Sequence, residues 1–455
     1  MTRATHRSAE EIGRTELGPR PLPALGEPRS GREPATVDTV LDNGLRVIVA
    51  RHGAVPMVEL RVRIPFAGQD RMHPARAEVL AETLLTGTQR RNRVQMDTDL
   101  AAVGGDLHAS VDPEHLGIAG EALASGMDTL LDVLGDALTG AVYADDEVAG
   151  ERDRLVERIA VARSQPRVIA REELQKHRYG DHPFAREVPE AADVGQVTAE
   201  EVRELHSRAV VPRGATLVLV GDVDPERTVA EIARHLAGWH SESSAREMPT
   251  LPAVQGGDIR LVHRDGAVQS QLRLSAQGLP RTDPRYPALQ IANLTFGGYF
   301  SSRLVENIRE DKGYTYGAHS AFEFTPDSGS ILVDADTASE VTAAALLETR
   351  YELGRLGLVP PTESEVESAR QYAIGGLLTS TSSQSGLASM LATLATCGLG
   401  QEWLSAHPDR LRAVTAEEVA EAAWFWAPTA FTGVVVGDAE KLRDQLQALG
   451  GVTVP

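Results

Sequence analysis

The chain has 455 residues, 42% hydrophobic and 24% charged, which is close to the globular average and long enough for two to four cores of ordinary size. A formal charge of -20 with no local basic stripe excludes a phosphate-backbone binder, since such a surface repels nucleic acid; it keeps a protein dispersed and would attract basic peptides. The single cysteine, Cys397, excludes an intrachain disulfide framework and a cysteine zinc knuckle and fits a reducing cytoplasm, and no apolar run nears the roughly 18 residues of a membrane span.

Residues 1–36 carry Arg, Pro, Gly and Glu without an apolar stretch, so they read as a flexible extension and not as a secretory signal. A short β-rich run follows at Leu45 to Val49, then Gly53-Ala54-Val55 leading into a strand over Val58 to Ile64. Next comes Ala75 to Thr88, a helical stretch that sets Glu78 and Glu82 four apart on one face with Ala81 between them. Gly104-Gly105-Asp106-Leu107-His108-Ala109-Ser110-Val111 reads as a glycine turn into a strand. A long amphipathic helix is expected over Asp146 to Ser164, containing Glu151 through Arg158. A further helix over Thr198 to Arg208 opens on a capping box, Thr198 with Glu201, in which each side chain satisfies the other residue's backbone N–H. The strand Thr216 to Val220 then ends in Val220-Gly221-Asp222.

Residues 241–257 hold two Pro and two Gly, open on Ser and Glu, and show no period, so they read as a linker. Beyond it, Gly266-Ala267-Val268 and a strand over Gln271 to Ala276 repeat the Gly53 segment. Gly297-Gly298-Tyr299-Phe300-Ser301-Ser302-Arg303-Leu304 and Ile308-Arg309-Glu310-Asp311-Lys312-Gly313-Tyr314-Thr315-Tyr316 follow, with Leu304 and Ile308 on one helix face, Gly313 a natural helix stop and a strand from Tyr314. The hexapeptide Val-Thr-Ala-Glu-Glu-Val occurs at Val197 to Val202 and again at Val414 to Val419, and each copy leads to Val-Gly-Asp, at Asp222 and at Asp438, with nearly the same separation. Two homologous halves, 37–240 and 258–455, follow from that duplication, and alternating short strands with long helices make each an α+β unit built on a mostly antiparallel sheet.

These segments resemble the pitrilysin, insulinase and mitochondrial-processing-peptidase family of inverzincin zinc peptidases, from about Thr36 through Asp438 and in both halves. In that family H-x-x-E-H supplies two zinc ligands four apart and the general base that activates the metal-bound water. Here Glu78 and Glu82 stand at the histidine positions, Ala81 stands at the general-base position, and Arg158 matches the third ligand, a glutamate. A register slip of one would bring Glu157 there instead. Two carboxylates at that spacing repel one another, so a cation is needed, and the Arg158 guanidinium is expected between Glu78 and Glu82. Two other readings stand beside this one: a remodelled metal site of Glu78, Glu82 and His108, and a merely solvated helix face.

The resemblance implies half of a clamshell whose own zinc site is erased: no metal or cofactor in this chain, and zinc in a paralogous partner chain that carries H-x-x-E-H. Arg309 and Tyr316 match the family's arginine and tyrosine that reach a substrate near the partner's zinc, where a guanidinium and a phenol donate hydrogen bonds to a peptide carbonyl and its developing oxyanion. The bland counterpart is an arginine paired with a neighbouring carboxylate and a half-buried strand tyrosine. Leu107, His108, Ala109 and Ser110 match the edge strand on which an extended peptide adds, or form an ordinary strand after a glycine turn. Arg303 reads as a structural salt bridge. The implied function is the non-catalytic, substrate-binding subunit of a heterodimeric, cytoplasmic peptide-processing metallopeptidase that binds neither nucleic acid nor membrane; the alternative is a structural or assembly protein of the same fold.

Overall fold

In the computed structural model residues 34–454 are described, so the expected extension lies outside them except for its end, where Thr36 already opens a strand. Among the described residues twelve strands form two six-stranded mixed sheets. The first contains β1 (Thr36–Val40), β2 (Arg46–Arg51), β3 (Met57–Pro65), β4 (Asp106–Val111), β5 (His115–Leu123) and β6 (Thr216–Gly221), in the order β1-β2-β6-β3-β5-β4. The second contains β7 (Ile259–His263), β8 (Gln269–Gln277), β9 (Thr315–Thr325), β10 (Ser328–Ala338), β11 (Thr432–Gly437) and β12 (Val452–Thr453), in the order β12-β7-β11-β8-β10-β9.

The duplicated sequence folds as a duplicated topology. β2-β6-β3-β5-β4 and β7-β11-β8-β10-β9 have the same order, with the first pair of each parallel and the rest antiparallel. Only the far edge differs: β1 adds antiparallel to β2, whereas β12 adds parallel to β7. Both copies of the hexapeptide open a helix through a complete capping box, Thr198 with Glu201 and Thr415 with Glu418. Asp438 and Asp224, near the ends of the Val-Gly-Asp segments, cap the helices Ala439–Ala448 and Pro225–His235.

β6 and β11 are buried at every residue, which requires cover on both sheet faces. Because successive side chains point to opposite faces, Leu217 and Leu219 enter the core of the first half, while Val218 and Val220 meet Leu387, Ala388, Leu391 and Ala392. Those four lie on the helix Gln384–Thr396, which belongs to the second half in sequence. The reverse also holds. Val434 and Val436 of β11 pack against Ala170 and Leu174 of the helix Pro166–Tyr179, from the first half, while Val435 enters the second half's own core.

Polar contacts fix both crossings. The Gln384 side-chain amide donates to the carbonyls of His52, Val55 and Met57, and Arg61 donates to Ser385 and Ser389. Arg178, only 1% exposed, donates to Ser275 at 2.9 Å and pairs with Glu323 at 2.7 Å. Residues from Ala35 onward accordingly cluster as one unit. Residues 241–257, between the sheets, contain one bridge, Arg246 with Phe66, and no helix or strand.

Candidate functional site

The helix His73–Thr83 has Pro74 in its first turn and buries Ala75, Ala77, Val79, Leu80, Ala81 and Thr83, leaving Glu78 and Glu82 on its partly open face. It packs beside β4 and the helices Asp145–Arg163 and Ala199–Ala209. Arg158 forks onto Glu82, with Nη2 at 2.5 Å from Oε1 and Nη1 at 3.4 Å from Oε2. The guanidinium therefore sits on one carboxylate and not between the two, and acts on Glu78 only through space. Glu157 is exposed.

Among the described residues no cationic partner contacts the Glu78 carboxyl. Burial, the Glu82 charge and, more weakly, that of Glu187 together push it from 4.5 up to about 7, with Arg158 opposing them. It lines a small cleft with Val111, Asp112, Arg186 and Glu187.

The donor set does not fit zinc. Among the described residues no group of three or more His, Cys, Asp or Glu side chains converges to hold a metal, so His108 does not join Glu78 and Glu82. A cation already covers one of the two carboxylates, and Ala81, 5% exposed, has no base to offer.

β4 is the outermost strand of its sheet, paired with β5 alone. Leu107 is buried, while His108 and Ser110 are exposed and Ala109 is half-buried. The turn into it needs its glycines: Gly104 has φ +59, and a Cβ on Gly105 would stand 2.9 Å from the Glu121 carbonyl oxygen.

In the second half the segment expected as one α-helix is a single α turn, Arg303–Val305, that widens into a π-helix over Glu306–Asp311. Leu304 and Ile308 are fully buried, as their spacing predicts. Gly313, at φ +64, stops it, and the amides of Gly313 and Tyr314 donate back to the carbonyls of Arg309 and Ile308. Arg309 thereby stands at a helix C-terminus. Its guanidinium lies 4.6 Å from the Phe300 ring centre, and its Nε is 3.4 Å from Glu310. Tyr316, the second residue of edge strand β9, is 96% exposed, not half-buried. No hydrogen bond joins Arg309 to Tyr316 among the described residues. Arg303, by contrast, is 6% exposed and forks onto Glu365, which it draws down to about 2.

With this geometry in view, the comparisons agree with one another. A model described as "Insulinase (Peptidase family M16)" matches residues 77–191, and one described as "Peptidase M16 inactive domain" matches residues 196–372. The chain belongs to the insulinase, or M16, peptidase family. An uncharacterized zinc protease of Mycobacterium tuberculosis is 28% identical over 440 residues, covering 93% of this chain and 99% of that protein. One of Streptomyces coelicolor is 25% identical over 343 residues, 73% and 74% of the two chains.

Among solved structures, a peptidase M16 inactive domain from Pseudomonas fluorescens superposes with a TM-score of 0.80 at 20% identity, covering 89% of this chain and 98% of that one. A protease from Helicobacter pylori gives 0.81 at 18% identity, with 89% and 100% coverage. The periplasmic protease PqqL from Escherichia coli gives 0.73 at 17% identity, and there 94% of this chain spans only 50% of that chain. The fold is that of one clamshell half. Glu78, Ala81, Glu82 and Arg158 lie within the segment matched by the insulinase model. Among the described residues no helix is long and apolar enough to cross a membrane.

Proposed function

We propose that this chain is the non-catalytic, substrate-holding subunit of a two-chain zinc metallopeptidase, whose partner is a paralogue carrying H-x-x-E-H and the metal. The observation that carries the reading is the Arg158 guanidinium on Glu82, a cation seated where the family's metal would need its ligands. Arg309 and Tyr316 support the substrate-holding part. Both expose donors that no acceptor among the described residues takes up, apart from the long Arg309 contact to Glu310, and both match the pair that faces a partner's site. Coverage of half of a longer solved chain agrees with a unit that works together with a second one.

An assembly protein with no part in proteolysis is the second reading. A tyrosine 96% exposed at the start of an open edge strand leaves its phenol free to donate, as the first reading requires.

The test is hydrolysis of internally quenched peptides with metal analysis, on this chain alone and then mixed with each H-x-x-E-H paralogue of the same genome. Cleavage by one mixture alone, with zinc confined to the paralogue, is the expected result. Cleavage or stoichiometric zinc in this chain alone overturns it.

A further inference from the structure

Phe300 is 61% exposed, a large aromatic ring left in solvent one residue after Gly297-Gly298-Tyr299. Its position is built. A Cβ on Gly297 would stand 2.8 Å from the Ser320 hydroxyl oxygen, and one on Gly298 would stand 2.8 Å from the Asn293 amide nitrogen, so a side chain at either position would have to displace a neighbour where this turn lies close to β9. The turn closes a second π-helical stretch, Leu294–Gly298, matching the one that carries Arg309. Tyr299 packs in a tilted contact on Tyr372, ring centres 5.1 Å apart. Phe300 is thus fixed outward, with its ring face under the Arg309 guanidinium at 4.6 Å.

We infer that Phe300 is the positioning residue for Arg309, holding its guanidinium from below so that its two terminal amino groups stay free for a peptide carbonyl. This rests on the reading of the chain as a substrate-holding subunit. The choice of an aromatic ring follows from the task. A carboxylate strong enough to orient Arg309 would take the in-plane N–H donors and cancel the charge, as Glu365 does for Arg303. A ring face attracts the cation from above or below its plane and occupies no donor. The Glu310 contact, 3.4 Å and partly exposed, is too loose to orient the group by itself. A guanidinium so held donates to the oxyanion that develops on the carbonyl, so its support is felt in the transition state more than in substrate binding.

The test uses the active pair and an internally quenched peptide that the wild-type pair cleaves. Phe300→Leu, which keeps an apolar side chain and removes the ring face, is expected to lower kcat by roughly two- to fivefold at near-constant KM and with an unchanged melting temperature. Phe300→Trp, with a stronger ring quadrupole, restores or exceeds wild-type kcat. In the Arg309→Ala background, Phe300→Leu adds no further loss. If Arg309→Ala lowers kcat but Phe300→Leu does not, or if Phe300→Leu acts equally without Arg309, the positioning role is overturned and the subunit reading stands. If Arg309→Ala itself changes nothing, both fall.

Discussion

At the scale of single residues, Glu82 is a carboxylate with a cationic partner and Glu78, among the described residues, one without. Glu78 binds its proton more tightly in the folded chain than in the unfolded one, having moved from 4.5 up to about 7. Stability therefore falls as pH rises between those two values and stays lowered above them. Glu78→Gln is expected to match wild type near pH 4.5 and to exceed it by about 1–2 kcal/mol at pH 8, discounting for partial exposure. Urea unfolding at both pH values checks this, and a gain independent of pH would show that the cause is not ionisation. The ligand argument makes a separate prediction. Glu78→His, Ala81→Glu, Glu82→His and Arg158→Glu combined should bind about one zinc per chain, while wild type binds none after dialysis against a chelator. Tight zinc in the wild-type chain would falsify the account of the donor set.

At the scale of elements, the helix Gln384–Thr396 is where the two halves depend on each other. Leu391 is fully buried against the first sheet, so Leu391→Ala should destabilise the whole chain by about 2–4 kcal/mol. Leu347→Ala, at a site 50% exposed, should stay within about 0.5 kcal/mol. Equal effects in thermal or urea unfolding would mean that the crossing is not tightly packed. Much at this scale was legible in the sequence. The repeated hexapeptide with its Thr and Glu box announced two equivalent helices, and the apolar runs ending in Val-Gly-Asp announced the central strands, because caps and periodicity are local. The exchange of helices was not legible. Periodicity tells that Leu387 and Leu391 share an apolar face, but not which of two similar sheets covers it. The π-helical widening at Arg309 also escaped, since Leu304 and Ile308 suit an α-helix equally well. At the candidate site the sequence singled out Glu78, Glu82 and Arg158, while the pairing of Arg158 with Glu82 alone depends on where two distant helices meet. Phe300 stood in a quoted motif without a role, because its partner is nine residues on and is brought near only by the turn.

At the scale of the molecule, two sheets related by duplication each borrow a helix from the other. A protease site introduced within residues 241–257 and then cut should leave two fragments that elute together and separate only in denaturant. Buried Arg178 between Ser275 and Glu323, and the Leu391 face on the first sheet, hold them. Fragments that part on a sizing column without denaturant would show the crossings to be weak.

The same exchange governs how the protein is made. The first sheet has all six of its strands once Gly221 has left the ribosome, yet one apolar face, with Ile48, Ala50, Val218 and Val220, has no cover until Gln384–Thr396 emerges. Vectorial synthesis thus leaves a sticky nascent surface waiting for most of the second half, a contact of long sequence separation that slows the final step and invites aggregation. A chain truncated before Gln384 should accordingly appear in inclusion bodies or on chaperones, even though it contains every strand of its own first sheet.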